Sequence, residues 1–71
     1  MRLIYLYGDT GLQGSPRVFL TDHGTVGVQG YQIDAESKAG AEPPCPGHED
    51  IVEIPIDLIH KASVALRKMG L

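Results

Sequence analysis

Tryptophan is absent, and phenylalanine and cysteine occur once each. A single cysteine excludes an internal disulfide. With three histidines beside it, the chain has donors for at most one metal ion. Long apolar runs are also missing. None approaches the roughly 20 residues that span a bilayer, so no membrane association is expected. The opening MRLIYLYGD has one basic residue and an apolar run, but it is too short for a signal peptide and lacks a small-residue cleavage site. Basic residues are scarce: six Lys and Arg stand against nine Asp and Glu, for a net charge of −3. A free-standing nucleic-acid binder usually carries a basic face, so no direct nucleic-acid contact is expected. A lone cysteine suits a reducing compartment, and the expected location is the cytoplasm.

What is present fits one small domain, residues 1–71. A chain of this length buries only about 60% of the surface that its unfolded form exposes. Its stability must come from a well-packed sheet and helix, or from a partner chain.

The organising stretch is RVFLTDHGTVGVQGYQI, residues 17–33. Two β-rich runs, Arg17–Thr21 and Thr25–Ile33, flank Asp22-His23-Gly24. A short glycine-containing connection between such runs predicts a hairpin. Val18 and Leu20 point to one face, and Phe19 and Thr21 to the other. Val26 and Val28 share a parity that Tyr31 and Ile33 break, which predicts a bulge or sharp twist at Gln29-Gly30. Gly27 is a second weak point, or a place where a large side chain lies on the backbone. Leu3–Tyr7 is apolar or aromatic throughout and reads as a strand covered on both faces. Asp9–Pro16 reads as a loop, with Leu12 folded back onto the domain edge.

Residues 34–50, DAESKAGAEPPCPGHED, form a long irregular loop. Asp34 is placed to cap one helical turn through Glu36 and Lys38. Pro43, Pro44 and Pro46 then enforce an extended path. Residues 51–54 read as a fourth strand, with Val52 and Ile54 inward and Glu53 in solvent. Pro55 suits the first helical position. Leu58, Ile59, Ala62, Ala65, Leu66 and Met69 fall on one side of a helix, with Leu66 at the centre of the stripe. Gly70 suits the position after the helix end. The expected fold class is α+β: a small four-stranded, mainly antiparallel sheet with one C-terminal helix packed on one face.

Few residues carry chemistry. Cys45 and His48 can reach one zinc ion together, but structural zinc takes four ligands and no second pair exists. The same two residues can be read as a thiol and its base, without an orienting third residue. Asp9-Thr10-Gly11 has the triplet of an aspartic protease, which needs two such aspartates in one site. Gly8–Gly14 lacks the Gly-Lys-Ser/Thr ending of a phosphate loop. Tyr5, Tyr7 and Tyr31 are aromatic, but only Arg2 and Arg17 lie near in sequence, so a core or interface role is favoured over base stacking. No enzyme activity and no cofactor are expected.

A resemblance rests on residues 14–25 (GSPRVFLTDHGT), 28–31 (VQGY) and 52–55 (VEIP). Together they resemble small actinobacterial proteins of unknown function encoded beside helix-turn-helix regulators. Those proteins pair a V-Y-x-T-D-x-G-T hairpin and V-Q-G-[WY] with a late V-E-[VI]-P. The resemblance implies a non-enzymatic protein-interaction module, accessory to a transcription regulator. The alternatives are a small metal- or ligand-binding protein using the Cys45–Asp50 loop, and an antitoxin-like component. An uncharged strand that one helix cannot cover on both faces needs another surface. The expected assembly is therefore a homodimer, or a complex with a protein partner, with Leu3, Tyr5 and Tyr7 at the interface.

Overall fold

The computed structural model describes residues 1–9 and 16–71. Its elements in chain order are β1 (Leu3–Gly8), β2 (Arg17–Thr21), β3 (Val26–Gln29), β4 (Tyr31–Gln32), α1 (Ala35–Ala39), β5 (Val52–Glu53) and α2 (Ile56–Lys68). The fold is α+β and antiparallel, but the strands form two sheets instead of one. The larger runs β1-β2-β3, and the smaller pairs β4 with β5.

The hairpin forms because Thr21 closes its turn from both backbone and side chain. The Thr21 N–H donates to the Thr25 carbonyl at 2.9 Å, and the two threonine hydroxyls meet at 2.6 Å. The His23 N–H also donates to Thr21 Oγ1. Thr21 is thus buried with its hydroxyl satisfied.

The predicted distortion at Gln29-Gly30 is a break between sheets and not a bulge. A Cβ on Gly30 would lie 2.5 Å from the Glu53 carbonyl oxygen and 2.7 Å from Ile54 Cγ2. Glycine lets the β5 backbone approach at that point, and the chain leaves the first sheet there. Tyr31 then pairs with Glu53, and Gln32 with Val52. The fourth strand of the expected single sheet belongs to this second one, and only its Val52 and Glu53 are extended. The bulge lies elsewhere, in β1, where the register shifts between Tyr5 and Tyr7. At Gly27 there is ordinary room: a Cβ would sit 3.7 Å from Leu3 Cδ2.

Helix α2 has Pro55 as its N-cap, one position before the predicted place, and no side chain caps it. Its C-terminus closes as a Schellman motif. Leu71 N–H bonds the Leu66 carbonyl, Gly70 N–H bonds the Arg67 carbonyl, and Gly70 has φ +79°. Arg67 and Lys68 occupy the last turn, where positive charge offsets the helix dipole.

The core is small. Val18, Leu58 and Ala62 are buried, with Leu6 and Ile54 packed against them. The buried centre of the helix stripe is Leu58 and Ala62; Leu66 is half-buried, and Ile59 and Met69 are exposed. The helix lies over β1 more than over the middle of the sheet, so its far flank meets solvent. Val52, expected inward, is exposed, whereas Ile54 does reach the core.

Asp34 caps α1 as its spacing implies: Oδ2 accepts the Ser37 N–H at 3.0 Å and Oδ1 the Ser37 hydroxyl at 2.7 Å. The rest of the segment to Asp50 is turns and extended chain. Most of the loop expected over 9–16, including Leu12 and Thr10-Gly11 of the Asp-Thr-Gly triplet, lies outside the described residues. Among the described residues, no helix is long and apolar enough to cross a membrane.

Candidate interaction surface

Cys45 and His48 do not assemble a donor set. Cys45 Sγ donates to its neighbour's carbonyl, Pro46 O, at 3.7 Å, and exposed His48 sits 3.9 Å from Glu49. Among the described residues, no three His, Cys, Asp or Glu side chains come together as a metal site. The loop instead folds against α1 around an open cleft of about 510 Å³, whose lining includes Lys38, Cys45 and Asp50. Lys38 Nζ bonds Asp50 Oδ1 at 3.0 Å across it. That hydrogen bond, the Ile51 N–H and the lysine charge hold the Asp50 carboxyl below its ordinary 3.8. Ser37 does the same for Asp34, through its hydroxyl and then its N–H.

The edge of the larger sheet is the more unusual feature. β1 is an edge strand, not the strand covered on both faces that its composition predicts. Leu3, Ile4 and Tyr5 are 50%, 46% and 46% exposed. Leu6 is the residue of this strand that packs into the core. The covered half and the bare half therefore divide near the bulge.

The bulge also separates the predicted interface residues. Leu3 pairs with Thr21 and Tyr5 with Phe19, whereas Tyr7 pairs with Val18. Val18 faces α2, so Tyr7 is on the helix side and Leu3 and Tyr5 are on the other. Tyr7 meets Lys61 of α2. The Lys61 ammonium is raised above its ordinary value mainly by its hydrogen bond to Asp57, 3.1 Å away, with a lesser contribution from Tyr7. Tyr31 belongs to the second sheet. The three tyrosines thus form no common platform.

Among the described residues, the face opposite the helix is only partly covered. Arg17 lies 4.9 Å from the centre of the Phe19 ring, and its Nε donates to Gln29 Oε1 at 2.6 Å. Leu3 and Tyr5 on the same face stay about half exposed. On the helix face, Ile4, Val26 and Val28 stay exposed beyond the reach of α2. Ile4 lies within the expected 3–7 interface stretch, although Leu3, Tyr5 and Tyr7 are the residues singled out there. It alternates with Leu3 and Tyr5, and a single helix covers only part of a three-stranded face.

No protein-family model matches the sequence, and no curated protein or solved structure matches it.

Proposed function

We propose that the chain is a non-enzymatic protein-interaction module, accessory to a transcription regulator. The observation that carries this reading is the uncharged, half-exposed run Leu3-Ile4-Tyr5 on an open sheet edge. Apolar side chains on both faces of an edge strand invite another polypeptide. The link to a regulator, and to an actinobacterial host, rests on the hairpin and VEIP resemblance. Co-expression with the regulator encoded beside it tests the reading. A complex that survives gel filtration and is lost in Tyr5→Lys is expected. Absence of any complex, with a monodisperse monomer in solution, would count against it.

A second reading has its own observation in the cleft between α1 and the 41–50 segment. Its cationic, thiol and carboxylate lining suits a small polar ligand. Native mass spectrometry after purification without chelator decides it: a retained non-protein mass that disappears in Cys45→Ser supports a ligand, and an apo mass removes it.

A further inference from the structure

We propose that the sheet face opposite α2 receives a carboxylate-bearing, apolar-flanked segment of the protein partner, with Arg17 as its anchor. This rests on the interaction reading above and names the chemistry of the partner.

The ladder places the site. Tyr5 and Gly27 pair with Phe19, and Gly8 and Gln29 pair with Arg17. A Cβ at Gly27 would lie 3.7 Å from Leu3 Cδ2 and 3.9 Å from both Phe19 Cβ and Thr21 Cγ2. Leu3, Phe19 and Thr21 therefore share the face away from Val18, and alternation adds Tyr5 and Arg17 to it. The Tyr5 hydroxyl donates to the Gly8 carbonyl at 2.7 Å. The phenol thus lies along β1 toward the ladder partner of Arg17.

The guanidinium is held in advance. It stands over the half-buried Phe19 ring, and its Nε bonds the Gln29 amide oxygen. The remaining donors sit on the Nη atoms, the end of the fork that takes both oxygens of a carboxylate. A guanidinium fixed by a ring and an amide loses little rotamer freedom on binding.

Charge decides the occupant. Lys38 and Lys61 each have a carboxylate partner, at 3.0 and 3.1 Å. Among the described residues, no Asp or Glu makes an ion pair with Arg17, and residues 10–15 contain neither type. Arg17 is also the one charge among the strand residues of this face. A single cation in a chain of net charge −3 does not follow a phosphate backbone, which needs a row of them. It does match one carboxylate. Leu3, Tyr5 and Phe19 beside it offer apolar contact to the neighbouring side chains of the same segment. Arginine and tyrosine are also the residue types that most often anchor an interface.

The test selects random peptides displayed on phage against the immobilised full chain. Selected peptides are expected to carry Asp or Glu beside Leu, Val or an aromatic residue. Titration of one such peptide should shift the Arg17 Nε–H and the Tyr5 and Phe19 ring resonances and leave Leu58 unmoved. Replacing the peptide carboxylate by its amide is expected to weaken binding about tenfold or more, and so is Arg17→Gln. The peptide swap and the resonance shifts need no variant of the chain. Arg17→Lys keeps the charge and the stem but not the fork, and is expected to fall between. Selection of no peptide, or of neutral peptides insensitive to Arg17→Gln, overturns the proposal. So does an oligothymidylate that binds in their place. If acidic peptides bind through Arg17 and the regulator does not, the site stands and the regulator is removed. A regulator complex that is lost in Tyr5→Lys but unaffected by Arg17→Gln overturns this site while the interaction reading stands.

Discussion

The β1–β2–β3 sheet with α2 and the β4–α1–β5 excursion are held by different forces. The first has two strand ladders of several residues each and contains Val18, Leu58 and Ala62, the buried apolar residues among those described. The second has a two-residue ladder, a capped five-residue helix with no buried residue, and the Lys38–Asp50 ion pair. Hydrophobic burial scales with area and is cooperative across a core. Exposed caps and ion pairs contribute little and act locally. The difference implies two levels of stability in one short chain.

The comparison breaks first at the core. Leu58→Ala is expected to cost about 2–5 kcal/mol, against a total of roughly 4–11 kcal/mol for a domain this size. Leu66→Ala, half-buried at the edge of the stripe, is expected to cost about half as much or less. Urea unfolding of both variants checks the order; equal costs would put the helix on the sheet differently. Gly30→Ala strikes the joint between the regions. Its Cβ meets the Glu53 carbonyl, and a cost of about 1–3 kcal/mol is expected from displacement of β5. Amide exchange should rise at Tyr31 and Val52 before it rises in β2.

Asp34→Ala removes the cap of α1 and is expected to cost that helix about 0.5–2 kcal/mol. Because α1 buries nothing, the global unfolding midpoint should hardly move while the Ser37 amide exchanges faster. The smallest effect is protonic. Asp50 and Asp34 both have folded values depressed below 3.8. Their stabilisation is complete above 3.8 and is lost as pH falls through the folded values. Acidification below that point should loosen residues 34–50 while the larger sheet persists. In Lys38→Ala, the Asp50 titration followed by NMR should move back up toward 3.8.

Local signals in the sequence marked the pieces that depend on neighbours along the chain. The hairpin at Asp22–Gly24, the Asp34 cap, the α2 span and the Gly70 terminus are all set within a few residues. The break at Gly30 was visible as a parity conflict, but its meaning was not. That required knowing that the Glu53 backbone would lie against it, 23 positions away. No glycine marks the β1 bulge, so the sequence groups Tyr7 with Leu3 and Tyr5, whereas the ladder puts it opposite Val18 on the helix side. Periodicity puts Leu66 at the stripe centre because it gives a face but not where along the helix the sheet ends. The bare half of β1 was legible as surplus apolar surface, whereas which residues share its faces was not.

The position of Val18 also has a consequence during synthesis. Its main cover, Leu58, is made forty residues later. At about 5–20 residues per second, the interval is about 2–8 s. During that time the hairpin can close, but its apolar face has no helix to lie under it. A nascent chain paused before residue 56 therefore presents β1 and β2 as bare sheet, a surface that chaperones bind and that neighbouring nascent chains can pair with.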